Sequence, residues 1–229
     1  MKRNLIILAA LLFASTSIYS QKLGNFGGLT EKKVGPKTIK VPYTSVTSYL
    51  GYAEKDSEDA VVDGKKYTYL YLWIPAVAPE LGVRMMSPAN SKVAAKLKDV
   101  TKAANYDQNA DTKDFFDTYI TLERSDIISL KDISAEKIAS ANWKTLAKND
   151  DSSEMPAQPS KSKYNSLLRV KSVPSDPLKA ITVGLYRVGF TTYKKGEVKG
   201  TFVAQVAAPI ALPGVIITKN IEDLKKAAK

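Results

Sequence analysis

Alternating apolar and polar positions recur along the middle of the chain and predict a protein built mainly from β-strands. In the clearest run, Phe116–Arg124 (FDTYITLER), residues 116, 118, 120 and 122 are expected on one face and residues 117, 119, 121 and 123 on the other. Similar runs predict strands at 41–52, 67–74, 164–171, 182–193 and 201–207. Gly196 lies in a short polar linker between the last two runs, which predicts a hairpin there.

One of these runs differs from the others because both of its faces are apolar. Residues 67, 69, 71 and 73 are aromatic, and the alternate positions 70, 72 and 74 are aliphatic. A strand of this kind is expected near the centre of a sheet that is covered on both sides. The aromatic row also allows a second interpretation, a platform for binding sugars, although a core role is more usual for such a stripe.

Helical periodicity is confined to three short stretches. Residues 91–104 place Val93, Leu97 and Val100 on one face, and Ser134 could cap a helix over residues 135–147. Asn220 could cap a third helix over residues 221–228, which has acids early and lysines late. The polar segment 148–163 contains two prolines and is predicted to be a loop.

Many strands with few helices predict a mainly β fold, a β-sandwich with peripheral helices. We expect residues 38–229 to form a single sandwich domain that ends in the C-terminal helix. Residues 21–37 are rich in glycine and lysine and are interpreted as a tether or a loosely held first strand.

The N-terminus predicts export. A basic start, Met1–Arg3, precedes an apolar run at 5–13 and a small, polar segment, which together indicate a signal peptide over residues 1–20, cleaved near Ser20 or Ser17. No later segment is apolar for long enough to suggest a transmembrane helix. A lipid anchor would need a cysteine, so we expect a protein that is periplasmic, secreted or at the cell surface without such an anchor.

The amino-acid composition excludes several kinds of catalytic and metal-binding site. The 229 residues include no cysteine and no histidine, which excludes disulfides, thiolate zinc sites and Ser-His-Asp triads. The formal net charge is +11; removal of residues 1–20 takes away Lys2 and Arg3 and leaves 32 − 23 = +9. A basic exported protein could bind acidic polysaccharide, whereas export makes nucleic acid an unsuitable partner. The lysines are scattered, so a solvated surface is the simpler explanation.

Several long strings resemble the family of the major surface lipoprotein of Leptospira. The resemblance is carried by Tyr69–Pro88 (YLYLWIPAVAPELGVRMMSP), Phe116–Arg124, Lys163–Lys171 (KYNSLLRVK) and Gly184–Ala204 (GLYRVGFTTYKKGEVKGTFVA). It implies a jelly-roll β-sandwich, an envelope or surface location and no enzymatic activity. It also implies adhesin-like binding of extracellular-matrix proteins, and a homodimer is compatible with it.

The same resemblance implies a Ca²⁺ site. The positions that match the family's ligands are Asp117, Thr118, Asp150, Asp151 and Tyr164, although the acidic tract at 149–154 (NDDSSE) is shorter than in the family. The chemistry is suitable, because Ca²⁺ prefers oxygen ligands from carboxylates, carbonyls and hydroxyls. The alternative is that the paired aspartates are only solvated loop acids.

Two other functions are compatible with the sequence. The chain could be a structural envelope protein without a specific ligand. It could also be a carbohydrate-active enzyme that uses paired carboxylates such as Asp63 and Glu123 in a concave groove.

Overall fold

The computed structural model describes residues 29–43, 45–194 and 197–227, and within them two β-sheets face each other as a sandwich. The first sheet has the strand order β10-β6-β12-β3-β7, and the second has the order β13-β5-β11-β8-β9, with β4 paired to β5. This architecture confirms the predicted mainly β sandwich. The strands are β1 (Leu29–Val34), β2 (Lys37–Pro42), β3 (Ser45–Ala53), β4 (Ala60–Val62), β5 (Lys65–Ile74), β6 (Glu80–Met86), β7 (Val100–Lys102), β8 (Tyr119–Arg124), β9 (Lys144–Asn149), β10 (Ser166–Lys171), β11 (Gly184–Thr191), β12 (Gly200–Ala208) and β13 (Ile216–Thr218).

The core lies between the two sheets and is formed by the inward residues that the alternation predicted. Strand β8 contributes Ile120 and Leu122, and β11 contributes Tyr186, Val188 and Phe190, all of them fully buried. The registers are antiparallel and unbroken along β5–β11 and β11–β8, so these side chains form continuous apolar rows. Burial of such rows is the main favourable contribution to the stability of the fold.

The outer faces of both sheets are partly covered as well. Trp73 and Leu185, on the outside of the second sheet, pack with Ile127, Ile138 and Leu224 from the connections. This covering explains why β5 is apolar on both parities, as predicted for a central strand. The aromatic row divides accordingly: Tyr69 and Trp73 are buried, whereas Tyr67 and Tyr71 are half-buried.

The helices are shorter than the periodicity predicted. They are α1 (Ser91–Ala94), α2 (Ala135–Ser140) and α3 (Ile221–Ala227), with 3₁₀ turns at Asp107–Asn109 and Leu130–Asp132. The prediction of a helix over 91–104 was therefore wrong beyond Ala94, and that of a helix over 135–147 was wrong beyond Ser140. Residues 100–102 form β7 beside β3, and residues 144–149 form β9 beside β8. Pairing with an available strand outweighs a weak intrinsic helix propensity.

The N-terminal part is described from residue 29 onward. Strand β1 pairs antiparallel with β2 in a separate two-stranded sheet, so the described part of the predicted tether is a strand. The predicted signal peptide (1–20) lies outside the described residues. The predicted hairpin between the runs 182–193 and 201–207 was wrong, because β11 belongs to the second sheet and β12 to the first, so the linker between them crosses from one sheet to the other. Among the helices that are described, none has the length and apolar character needed to cross a bilayer.

Candidate metal centre

Three carboxylates converge where β8 begins and β9 ends. Asp117 lies two residues before β8, and Asp150 and Asp151 directly follow β9. Because β9 pairs antiparallel with β8, the end of one strand lies beside the beginning of the other, with Ile120 opposite Asn149. One carboxylate oxygen from each aspartate lies within 4.8 Å of the other two.

Two of these oxygens are buried without a partner. Among the described residues, Oδ1 of Asp117 and Oδ1 of Asp150 have no hydrogen-bond donor. A buried carboxylate oxygen that lacks a partner costs free energy, and native proteins contain few such groups. The orphaned oxygens therefore fit a bound cation.

The electrostatics agree with this geometry. Burial, followed by the charges of Asp150 and Asp151, raises the pKa of Asp117 from 3.8 to about 6. Burial and the charge of Asp151 also raise the pKa of Asp150, and burial raises that of Asp151. Lys65 acts in the opposite direction and lowers the pKa values of Asp117 and Asp150. The ionised cluster is thus destabilising unless a cation neutralises it.

Backbone and hydroxyl oxygens complete the surroundings of the cluster. Thr118 is buried, and its N–H and Oγ1 both donate to the Tyr164 carbonyl, at 3.0 and 3.2 Å. The side chain of Tyr164 is 44% exposed, so only the main-chain carbonyl of this residue points toward β8. The structure therefore brings the three aspartates together, and it places the Tyr164 carbonyl against Thr118, the residue next to Asp117.

Ser166 joins the three segments that form the centre, and the sequence analysis missed it. This buried hydroxyl lies 2.9 Å from Thr118 Oγ1 and within hydrogen-bond distance of the carbonyl oxygens of Thr118 and Asp150, either of which can accept its single hydrogen. The sequence placed Ser166 near the start of a predicted strand, but a small polar residue is common at such a position and does not by itself indicate a role in a site.

Gln158 fixes the loop that follows the acid pair, and it was also missed. Its buried side-chain amide donates to the carbonyls of Phe116 (2.7 Å), Ser87 (2.9 Å) and Tyr164 (3.3 Å). At the surface, Glu154 accepts two hydrogen bonds from Arg169 on β10, at 2.7 and 2.8 Å. The loop is therefore held against the sheet by protein contacts, and the two aspartates are pre-positioned.

The other sequence candidates lie on the outer face of the second sheet. Glu123 is paired with Arg187, whose guanidinium lies 3.9 Å from the ring centre of Tyr69 and 4.2 Å from that of Trp143. Asp63 is exposed in the turn between β4 and β5, and it lines the same groove as Glu123.

The fold and the cluster define the class of protein as a β-sandwich with a group of three converging carboxylates at the border of one sheet. The sequence matches the family Lipl32, described as surface lipoprotein of the Spirochaetales order, over residues 37–217. The chain belongs to this family, which confirms the resemblance noted from its sequence and indicates an exported protein of the cell surface. No curated protein matches the sequence.

Proposed function

We propose that this surface protein binds one Ca²⁺ ion at the centre formed by Asp117, Asp150 and Asp151. The observation that carries the proposal is the pair of buried, partnerless carboxylate oxygens within a cluster of three acids. Thr118 would supply a further oxygen, and the Tyr164 carbonyl would do so on release of one of the hydrogen bonds that it accepts from Thr118 and Gln158. Hard oxygen ligands without nitrogen or sulfur suit Ca²⁺ better than transition metals.

The role of the ion would be structural. It would neutralise the repulsion between Asp117 on the sheet side and the two aspartates on the loop side. Because the loop is already held by Gln158 and Arg169, binding would lock a nearly formed site. The free energy of binding then adds to the stability of the folded state.

We further propose that the protein acts by binding an extracellular macromolecule, as an adhesin-like protein without enzymatic activity. Membership of a surface family and the net charge of +9 expected after removal of residues 1–20 support this proposal. Matrix proteins and acidic polysaccharides are the candidate partners, and a structural protein without a ligand is the alternative.

The calcium proposal is tested by calorimetric titration of chelator-treated protein. We expect saturable binding of one Ca²⁺ per chain, and loss of binding in Asp117→Asn. Mg²⁺ should bind more weakly, because it demands a tighter octahedral geometry. Absence of heat and of a thermal shift with Ca²⁺ would show that the aspartates are only solvated acids.

The macromolecular role is tested separately with immobilised matrix proteins and polysaccharides. Saturable binding supports the adhesin-like role, and absence of binding to every one of them at low ionic strength would favour the structural alternative.

A further inference from the structure

The outer face of the second sheet is covered at one end only. The cluster around Trp73 and Leu185 protects that end, whereas the other end forms an open groove of about 650 Å³. Strands β5, β8 and β9 and the turn after β4 provide its walls. This volume lies in the range of about 300–1,000 Å³ that is typical of ligand sites.

Tyrosines form much of the groove lining. Tyr67, Tyr69 and Tyr119 contribute to it, and the rings of Tyr67 and Tyr69 stack with their centres 6.1 Å apart. Beneath them, Gly189 leaves the necessary space, because a Cβ there would lie 2.6 Å from Thr121 Oγ1 and 3.0 Å from the Tyr69 ring. Flat rings with polar tips suit a ligand that has both apolar faces and hydroxyl groups.

The free charges of the groove are mainly positive. Lys65 lies over the ring of Tyr119, 4.6 Å from its centre, and Lys148 is exposed on β9. Among the lining residues, Glu123 is already neutralised by Arg187, which leaves Asp63 as the acid opposed to these two lysines. Lys65 also faces Asp117 and Asp150, whose charge the proposed Ca²⁺ would offset. Cations held beside aromatic rings favour a ligand that carries negative charge.

A glycan fits this lining better than a peptide. The groove lies on the outer face of the sheet and is lined by tyrosine rings, whereas an extended peptide would bind by main-chain pairing along the edge strand β9 at its border. A pyranose ring presents one apolar face to an aromatic ring, and its hydroxyls can bond to Thr145, Asp63 and the tyrosine hydroxyls.

We propose that this groove binds a linear glycan that contains uronic acids, with the sugar faces against Tyr67 and Tyr119 and the carboxylates near Lys65 and Lys148. The proposal rests on the proposed function of binding an extracellular macromolecule, and it names the class of that partner and the face that binds it. We expect binding without hydrolysis, because Glu123, one of the two carboxylates of the groove, is held in an ion pair with Arg187.

The test uses two matched pairs of variants. Lys148→Ala is compared with Lys144→Ala, since both lysines are exposed on β9 but only Lys148 lines the groove. Lys65→Met is compared with Lys66→Met, since the next residue on β5 pairs instead with Asp56 and Glu58. The probe is a fluorescent, unsulfated oligosaccharide of alternating glucuronate and N-acetylglucosamine, measured by polarisation at about 150 mM salt, where long-range attraction is screened.

We expect saturable binding by the wild type and a loss of at least about five-fold, roughly 1 kcal/mol, in each groove variant. The two control variants should bind within about two-fold of the wild type, and the recovered oligosaccharide should keep its length. Equal losses in groove and control variants, or no saturable binding, would overturn the proposal. Equal binding of a neutral N-acetylglucosamine oligomer would overturn the assignment to uronic acids, and a shortened probe would overturn binding without hydrolysis.

The calcium-dependent thermal shift is recorded on the same samples. If glycan binding is absent but the shift is present, the groove proposal is wrong and the calcium centre is retained. If glycan binding is present but the calcium-dependent shift is absent, the calcium centre is wrong and the groove proposal is retained.

Discussion

The clustered carboxylates provide a demanding test, because one substitution should have opposite effects with and without calcium. Asp117→Asn keeps the shape of the side chain but removes one negative charge that faces Asp150 and Asp151. Without metal this change should relieve repulsion and stabilise the protein. With calcium it should remove a ligand and abolish the stabilisation that the wild type gains.

The size of the first effect follows from the raised pKa of Asp117. A rise from 3.8 to about 6 sets an upper limit of roughly 3 kcal/mol at about 1.4 kcal/mol per pKa unit. Because Asp117 is only partly buried, solvent screening reduces this to about 1–1.5 kcal/mol. A raised carboxyl pKa means that the native state holds the proton more tightly than the unfolded state. The cost is therefore absent well below pH 3.8, grows as the pH rises and is complete above about pH 6.

At pH 7 in chelator, Asp117→Asn should consequently melt roughly 2–5 °C above the wild type. Calcium at about 100 times its Kd should stabilise the wild type by ~2.7 kcal/mol, a rise of roughly 5–10 °C in melting temperature. The variant should show little or no rise.

The assay is a thermal melt followed by circular dichroism, with chelator, Ca²⁺ or Mg²⁺. Asp132→Asn, at an exposed position in the 3₁₀ turn Leu130–Asp132 and outside the acidic cluster, serves as the control and should behave as the wild type. The reasoning would be refuted if Asp117→Asn were destabilised in chelator and still responded fully to calcium.

Three further outcomes are expected. Gln158→Leu leaves the buried carbonyls of Phe116 and Ser87 without their amide donor, so urea denaturation should show a loss of about 2–4 kcal/mol; a loss below about 1 kcal/mol would contradict this role. Gly200→Ala should cost more than about 3 kcal/mol in the same assay, because φ is +136° and the new Cβ would lie 2.5 Å from the Asp114 carbonyl; a near-neutral variant would be the opposite result. Binding to sulfated polysaccharide should weaken steeply between low and physiological salt if it depends on the net charge of +9 that remains after removal of residues 1–20, and salt-independent binding would argue against that dependence.

Much of the fold could be predicted because strand alternation is a local signal. The inward and outward faces of β8 followed directly from its sequence, and Ile120 and Leu122 are buried as expected. Strand β9 was missed because the helical periodicity that begins after the cap Ser134 continues in the sequence beyond Ser140, where the helix ends. Its pairing with β8, interrupted by a bulge at Leu122 and Glu123, is a non-local interaction that no local pattern reveals.

The candidate site was less accessible to sequence reasoning. The outward position of Asp117 was predictable, but its proximity to Asp150 depends on the register of β8 and β9. The resemblance to the family had already grouped Asp117 with Asp150 as positions of one site. Ser166 and Gln158 were not predicted, since their roles depend on carbonyl groups brought together from distant segments.

The most direct measurement is a crystal structure grown with calcium, with anomalous data collected at long wavelength. The account predicts a single strong anomalous peak at about 2.3–2.6 Å from oxygens of Asp117, Asp150 and Asp151. It also predicts that Asp117→Asn crystals lack the peak. A site that holds only water in millimolar calcium, with the wild-type aspartates turned to solvent, would contradict the central claim.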